Sequence, residues 1–141
     1  MPTDFLECCD KIEECYEFML AYAGQGLPSD QGSHVGGQVR EFLQSAGKAM
    51  AGLAESCERA LAEEGLKPAD MTFMAVLRRD AQDSLAMFEM VLAQPAISSQ
   101  LIDNLNASIH LRALLTDLFL LDEILGKRVK PVEQVVTNKG D

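Results

Sequence analysis

The chain is poor in aromatic residues and in positive charge. It has no tryptophan, and aromatic residues make up 6% of its 141 residues. Its 22 acidic residues outnumber the 12 basic ones, which gives a formal charge of −10 at pH 7. A protein of this charge repels phosphate backbones and anionic membrane surfaces. The composition therefore argues against nucleic acid as a partner.

Long uncharged apolar runs are absent as well. A membrane-spanning helix needs about 20 nearly uncharged residues, whereas the most apolar stretch, Ile109 to Leu125, includes a histidine, an arginine and acidic residues. The start of the sequence, MPTDFLECCD, lacks the basic residues and the continuous apolar core of a secretory signal. We therefore expect a cytoplasmic protein without a membrane span, in which the cysteines remain reduced thiols.

Residue usage favours helix along the whole chain, because alanine, leucine, methionine and glutamate are abundant and β-branched residues are few. Apolar residues that recur at steps of three and four predict four helices. Their approximate bounds are Asp4 to Ala23, Gln38 to Glu64, Asp70 to Ala93 and Ser98 to Leu125. The predicted fold is all-α, an up-and-down four-helix bundle. We expect one domain over residues 1–128 and a flexible C-terminal tail over residues 129–141.

A long Gly-rich loop is predicted between the first and second helices, from Gly24 to Gly37, because glycine, serine, aspartate and proline oppose regular structure there. Links of this length exceed those common in helix bundles and are often functional or mobile. His34 lies among the glycines, and the backbone amides of a Gly-rich turn can hold an anion. The segment lacks the lysine and the spacing of a nucleotide-binding loop, which favours a surface loop.

The last predicted helix carries two apolar rows. Five leucines repeat at steps of three and four, which places them on one side of the helix. A second row, which includes Leu120 and Ile124, falls on another face, so the apolar arc exceeds the roughly 100° that a helix on a single core needs. We expect a second copy of the chain to cover the excess. The predicted interface residues are Leu111, Leu114, Leu118, Leu121, Leu125 and Ile124.

A polar line runs between these two rows. It consists of Asp103, Asn106, His110 and Asp117, at steps of three, four and seven residues. Burial of its charged members would be costly unless each found a partner. The line therefore forms either a hydrated strip between two packed faces or one wall of a polar pocket, and the sequence leaves both interpretations open.

Cysteine and histidine side chains raise the question of a bound metal. In an antiparallel arrangement, a rise of about 1.5 Å per residue brings Cys9 on the first helix level with His110 on the last. Cys57 would lie one or two turns lower, and the three could bind a transition metal such as zinc or copper. The chain has no CxxC pair and no Glu-x-x-His motif of a di-iron bundle. Buried thiols in the core are the plainer interpretation.

A nucleophile and base pair of Cys8, Cys9 or Cys15 with His110 is conceivable. The acids that could orient the histidine, Asp103 and Asp117, are each about two helical turns from it, too far for a direct hydrogen bond. We therefore assign no catalytic residues, and the sequence favours a protein that is not an enzyme. The leading hypothesis is a small acidic bundle that acts through protein–protein interaction, as a regulator, adaptor or assembly chaperone. It would form a homodimer through its last helix. The alternative is a metal- or thiol-dependent sensor that uses the cysteines and His110 in the bundle interior.

Overall fold

The computed structural model of the chain describes residues 2–129, with side chains from Asp4 to Leu125. Every regular element in this range is an α-helix, so the predicted all-α class is confirmed. The helices are α1 (Pro2–Ala23), α2 (Gly36–Ala62), α3 (Pro68–Leu92), α4 (Ser99–Asn106) and α5 (Ile109–Val129). None of them has an apolar stretch of the length that crossing a membrane requires. The predicted tail lies outside the described residues from position 130 onward.

The chain forms two helices where the sequence predicted one, so the prediction of a continuous last helix is wrong. α4 ends at Asn106, and Ser108 caps α5. The Ser108 Oγ accepts hydrogen bonds from the backbone N–H groups of His110 (3.1 Å) and Leu111 (3.4 Å). A serine in this position satisfies amide groups that have no partner at a helix start. The described part of the fold therefore has five helices instead of four.

Four helix pairs make the main packing contacts of the fold. α1 packs along α2 and against α4, whereas α3 packs along α2 and α5. α1 turns one buried stripe toward this core, with members three or four residues apart: Phe5, Cys9, Ile12, Cys15, Met19 and Tyr22. α2 approaches α3 closely at Gly47, where a Cβ would lie 3.3 Å from Leu85 Cδ1. A side chain at this position would require the end of the Leu85 side chain to shift by a few tenths of an ångström.

The first turn of α2 depends on a glycine. α2 begins at Gly36, two residues before the predicted start, because the Ser33 Oγ accepts a hydrogen bond from the Gly36 N–H (2.8 Å). A Cβ at position 36 would collide with the backbone carbonyl oxygen of Asp30. Only glycine allows the loop to approach the helix this closely, and this approach brings Asp30 into the interior.

The start of α3 also differs from the prediction. Asp70 was the predicted N-cap, but α3 begins at Pro68 and Lys67 is the N-cap residue. Asp70 lies in the first turn instead, where its carboxylate accepts a hydrogen bond from the Lys67 N–H (3.0 Å). The same acidic side chain thus still satisfies an amide at the helix start, from inside the helix.

Candidate functional site

The five leucines that the sequence assigned to a dimer interface lie in the chain's own core. Their side chains are between 0 and 7% exposed: Leu111, Leu114, Leu118, Leu121 and Leu125. The reason is that α5 turns this row toward α3 and the remaining core, as the strongest apolar stripe of an amphipathic helix does. We therefore correct the predicted interface, because of its six residues only Ile124 is exposed.

The other side of α5 carries large apolar side chains that the chain leaves uncovered. Ile109, Leu120 and Ile124 are 76, 50 and 43% exposed. At about 100° per residue they fall within a sector of about 60°, and we call these three residues the outer face of α5. Phe119 is 61% exposed and projects about 100° away from Leu120. Clustered apolar side chains on a surface commonly mark interaction sites.

α3 lies beside α5 and runs antiparallel to it. The Ser84 hydroxyl donates to the carbonyl oxygen of His110 (3.1 Å), and the Ser108 hydroxyl donates to Met87 Sδ (3.1 Å). Residue numbers therefore rise along α3 as they fall along α5. We call this line of contact the α3–α5 seam.

The register of this seam brings one exposed valine close to the outer face. Val76 lies about two helical turns before Ser84 on α3. Because the helices are antiparallel and Ser84 contacts His110, the residue of α5 at the same height lies about two turns after His110, close to Leu120. Val76 is itself exposed. Val76 and Leu120 therefore lie at about the same height on the two neighbouring helices.

The four residues of the predicted polar line have different surroundings. Asp103 is exposed, whereas Asn106 is buried and donates through Nδ2 to a backbone carbonyl oxygen of α1 (3.1 Å). His110 is half exposed, and its Nδ1 lies 3.8 Å from Asp83 Oδ2, which makes an ion pair when the imidazole is protonated. Asp117 is buried at the seam. The structure does not bring the four side chains together.

Asp117 meets a second carboxyl group, that of Asp80 on α3. Burial, and after it the neighbouring carboxyl group of Asp80, raises the pKa of Asp117 to about 8. Burial disfavours the charged form, and a neighbouring carboxylate does the same by repulsion. Two carboxyl groups can share a hydrogen bond only when one of them carries a proton. The sequence placed Asp117 in a polar line but did not identify its partner.

The thiols of Cys9 and Cys57 are buried where α1 meets α2. Burial raises the pKa of the Cys9 thiol far above its ordinary value, with a further contribution from Glu13, and burial also raises the pKa of Cys57 to about 12. Metal ligation and thiol chemistry both require the thiolate, which these surroundings disfavour. Within the described residues, no three or more His, Cys, Asp or Glu side chains are grouped so as to hold a metal ion.

One hydrogen-bonded cluster was missed by sequence reasoning. It ties the loop between α1 and α2 to the link between α3 and α4. Arg40 donates through Nε to Asp30 Oδ2 (2.8 Å), and its two terminal nitrogens donate to the carbonyl oxygens of Leu92 (3.0 Å) and Gln94 (2.8 Å). Asp30 also accepts from the Ile97 N–H (2.8 Å). Burial alone would raise the pKa of Asp30, but the hydrogen bonds from Arg40 and Ile97 outweigh it and lower this pKa.

Two further side chains complete this cluster. The Tyr22 hydroxyl donates to the carbonyl oxygen of Ile97 (2.7 Å). The Ser99 hydroxyl donates to the Tyr22 carbonyl oxygen (2.6 Å) and accepts from the Leu27 N–H (2.9 Å). We call the four side chains that make these bonds the loop clasp: Tyr22, Asp30, Arg40 and Ser99.

A surface depression of about 380 Å³ lies next to the clasp, where the loop meets α4. Its lining includes Ser98, Ser99 and Asp103 but no histidine or cysteine. The Ser98 hydroxyl accepts from the Leu101 N–H (3.0 Å), and the Ser99 hydroxyl is held by the clasp. Neither serine faces a base that could activate it as a nucleophile. His34 of the loop is exposed and is not part of this lining.

Comparisons of the chain with protein-family models, with curated proteins and with solved structures found no match.

Proposed function

We propose that this chain is a small acidic protein of the cytoplasm that acts by binding other protein chains, as a regulator, adaptor or assembly chaperone. It forms a homodimer through the outer face of α5. The observation that carries the proposal is the exposure of Ile109, Leu120 and Ile124 on a helix whose opposite side fills the core. We further propose that α4 and α5 together take the place of the fourth helix of an up-and-down bundle.

A two-fold pairing of α5 with the α5 of a second copy covers the outer face on both chains at once. In such an interface the same patch serves both partners, so one exposed row of apolar side chains is enough. Two helices that cross near Leu120 would lie about 8–10 Å apart and bury the row between them. Burial of the exposed half of a leucine or isoleucine contributes about 1 kcal/mol, and each residue is counted twice in a dimer.

The charge of the chain gives this dimer a distinctive salt dependence. Two copies that each carry a formal charge of −10 repel one another. Added salt screens this repulsion over about 10 Å or less and leaves apolar contacts in place. We therefore expect association to strengthen as ionic strength rises, whereas an interface of ion pairs would weaken.

Sedimentation equilibrium at micromolar concentrations tests the proposal. The double variant Leu120→Gln with Ile124→Gln should weaken the dimer at least about tenfold, which corresponds to about 1.4 kcal/mol. The matched control is the double variant Leu6→Gln with Leu20→Gln, because these two leucines of α1 are 49 and 51% exposed, against 50 and 43% for Leu120 and Ile124. This control removes as much exposed apolar surface elsewhere and should associate as the unmodified chain does.

Two outcomes would contradict the proposal. A chain that stays monomeric over this concentration range, at low and at high salt, would remove the homodimer. A double variant that associates as strongly as the unmodified chain, with the same helix content, would remove the outer face as the interface.

The metal- or thiol-dependent sensor stays a prediction from the sequence. It requires Cys9, Cys57 and His110 as ligands, whereas His110 lies beside Asp83 in the structure. Elemental analysis of protein purified without chelator would test it.

A further inference from the structure

The α3–α5 seam contains one carboxyl group from each helix. Asp117 of α5 is only 6% exposed, and its Oδ2 accepts no hydrogen bond from any donor in the described part of the chain. Asp80 of α3 is half-buried, and its carboxyl group lies close enough to Asp117 to raise the pKa of Asp117. An ionised carboxylate in the position of Asp117 would be buried without a cation, and such burial is costly.

No basic side chain of the described residues is among the groups that shift the pKa of Asp117. The causes that act on the pKa of Asp117 are burial first and then Asp80, and no cation is among them. The charged and titratable groups of the neighbouring helices have other positions: Asp83 pairs with His110, Arg78 pairs with Glu58 of α2, and Arg79, Asp103, Arg112 and Asp122 are exposed. The pair can therefore become less charged only by taking up a proton.

A single proton changes the sign of the interaction between the two carboxyl groups. When both are ionised, they repel each other at hydrogen-bonding distance. When one is protonated, it donates an O–H···O hydrogen bond to the other, and such charge-assisted bonds are short and strong. The proton comes from solvent and returns to solvent, so no other reactant is needed.

We propose that Asp80 and Asp117 share one proton and form a latch that holds α5 against α3, and that loss of this proton above neutral pH loosens the seam. The inference does not depend on the proposed function, because it concerns the contact of α5 with its own chain. Leu120 and Ile124 follow Asp117 by about one and two turns. Loosening of the seam would therefore also move the outer face.

The direction of the pH effect follows from the proton balance. The pKa of Asp117 is raised to about 8 from an ordinary value of 3.8. Between these values the folded chain binds more protons than the unfolded chain, so stability falls as the pH rises. The contribution of the latch is complete below about pH 4 and is lost as the pH rises through about 8.

An NMR titration of the aspartate carboxyl carbons in the full chain tests the latch directly. We expect one aspartate signal to titrate near pH 8, while exposed aspartates titrate near about pH 4. The late signal should be absent in Asp117→Asn. In Asp80→Asn, in which a neutral amide replaces the second acid, its midpoint should move to lower pH but stay above the ordinary value, because Asp117 remains buried.

Thermal unfolding, measured from about pH 5 to about pH 9, tests whether loss of the shared proton lowers the stability of the fold. In Asp117→Asn the side-chain amide donates to Asp80 at every pH, so its seam stays closed. We expect the Tm of the unmodified chain to fall by about 5 °C or more relative to this variant across the range. The control Asp103→Asn, which changes an exposed aspartate of α4, should follow the unmodified chain.

Two results would overturn the latch. One is an Asp117 signal that titrates near about pH 4 in the folded chain, a measurement on the unmodified protein that stands even where a variant does not fold. The other is a Tm near pH 8 that Ca²⁺ or Mg²⁺ raises in the unmodified chain but not in Asp117→Asn. The pair would then be ionised and would hold a cation instead of a proton.

Discussion

The loop clasp and the α3–α5 seam each bury an aspartate, and they shift its pKa in opposite directions. Asp30 of the clasp accepts hydrogen bonds from Arg40 and from a backbone N–H, and its pKa is lowered. Asp117 of the seam meets the carboxyl group of Asp80, and its pKa is raised to about 8. Both side chains are less than one-tenth exposed. The partner, more than the depth of burial, therefore decides the charge of a buried acid.

The two regions also differ in how firmly they define the local geometry. The clasp satisfies backbone groups of the loop and of the link between α3 and α4 with directed bonds of 2.6 to 3.0 Å. In the seam, Asp117 Oδ2 lacks a donor within the described residues. A network in which every buried polar group has a hydrogen-bond partner is rigid. A buried carboxylate without a donor is instead stabilised by taking up a proton. We infer that the clasp stabilises the fold and that the seam is the adjustable contact.

Replacement of Arg40, the cation of the loop clasp, is expected to cause the largest loss of stability. Arg40→Ala leaves Asp30 buried without its partner and also frees two backbone carbonyl oxygens. Loss of one partner of a buried ion pair costs about 3–5 kcal/mol. Because Arg40 is 32% exposed, we expect a loss near the lower end, about 3 kcal/mol, in the free energy of unfolding measured with urea at neutral pH.

Arg59→Ala is the control for this prediction. Arg59 lies 3.7 Å from Asp4, and both side chains are more than half exposed, so its removal should cost less than about 1 kcal/mol. The loss in Arg40→Ala should also shrink in acid, because the lowered pKa of Asp30 stabilises the fold above its ordinary value of 3.8 and this contribution is lost as pH falls through the lowered pKa. Equal losses in the free energy of unfolding of Arg40→Ala and Arg59→Ala would contradict the conclusion that the buried ion pair of the clasp contributes more than an exposed ion pair.

Apolar periodicity was sufficient to predict the helices, because each buried stripe is visible in its own segment. It also predicted correctly that α5 has more apolar surface than its own core covers. The assignment of its two rows was wrong, because the regular five-leucine row is the one that a helix buries. The break at Ser108 was missed because Leu105 and Leu111 continue the apolar pattern on both sides of it.

The clasp and the carboxyl pair could not be predicted from local patterns. Asp80 and Asp117 lie on different helices, and only the antiparallel register of α3 and α5 brings them together. Asp30 and Arg40 are close in sequence and opposite in charge, which was the one available signal for the clasp. Their backbone partners near Ile97 are far away in the sequence, so the fold must be known before the network can be assigned.

A single buried hydroxyl tests how much each bond of the clasp contributes. Tyr22→Phe keeps the ring and leaves the carbonyl oxygen of Ile97 without its donor, so we expect a loss of about 1–2 kcal/mol in thermal or urea unfolding. Tyr16→Phe is the matched control, because Tyr16 lies on the same helix and is only partly buried. Its effect should stay within about 0.5 kcal/mol. A Tyr22→Phe variant as stable as this control would show that the clasp contributes through packing and not through its hydrogen bonds.

The smallest expected loss of stability is that of a substitution at the α3–α5 seam. Ser108→Ala removes the cap of α5 and the contact with Met87, for a loss of about 1 kcal/mol. The control is Thr116→Ala, whose hydroxyl bonds only to a carbonyl oxygen in its own helix. Hydrogen exchange separates the regions: in Ser108→Ala the amides of His110 and Leu111 should exchange faster, while the Ile97 amide, held by Asp30, keeps its rate. If all three accelerate together, the clasp and the seam open as one cooperative unit, and a proton lost at the seam would then weaken the whole fold instead of one adjustable contact.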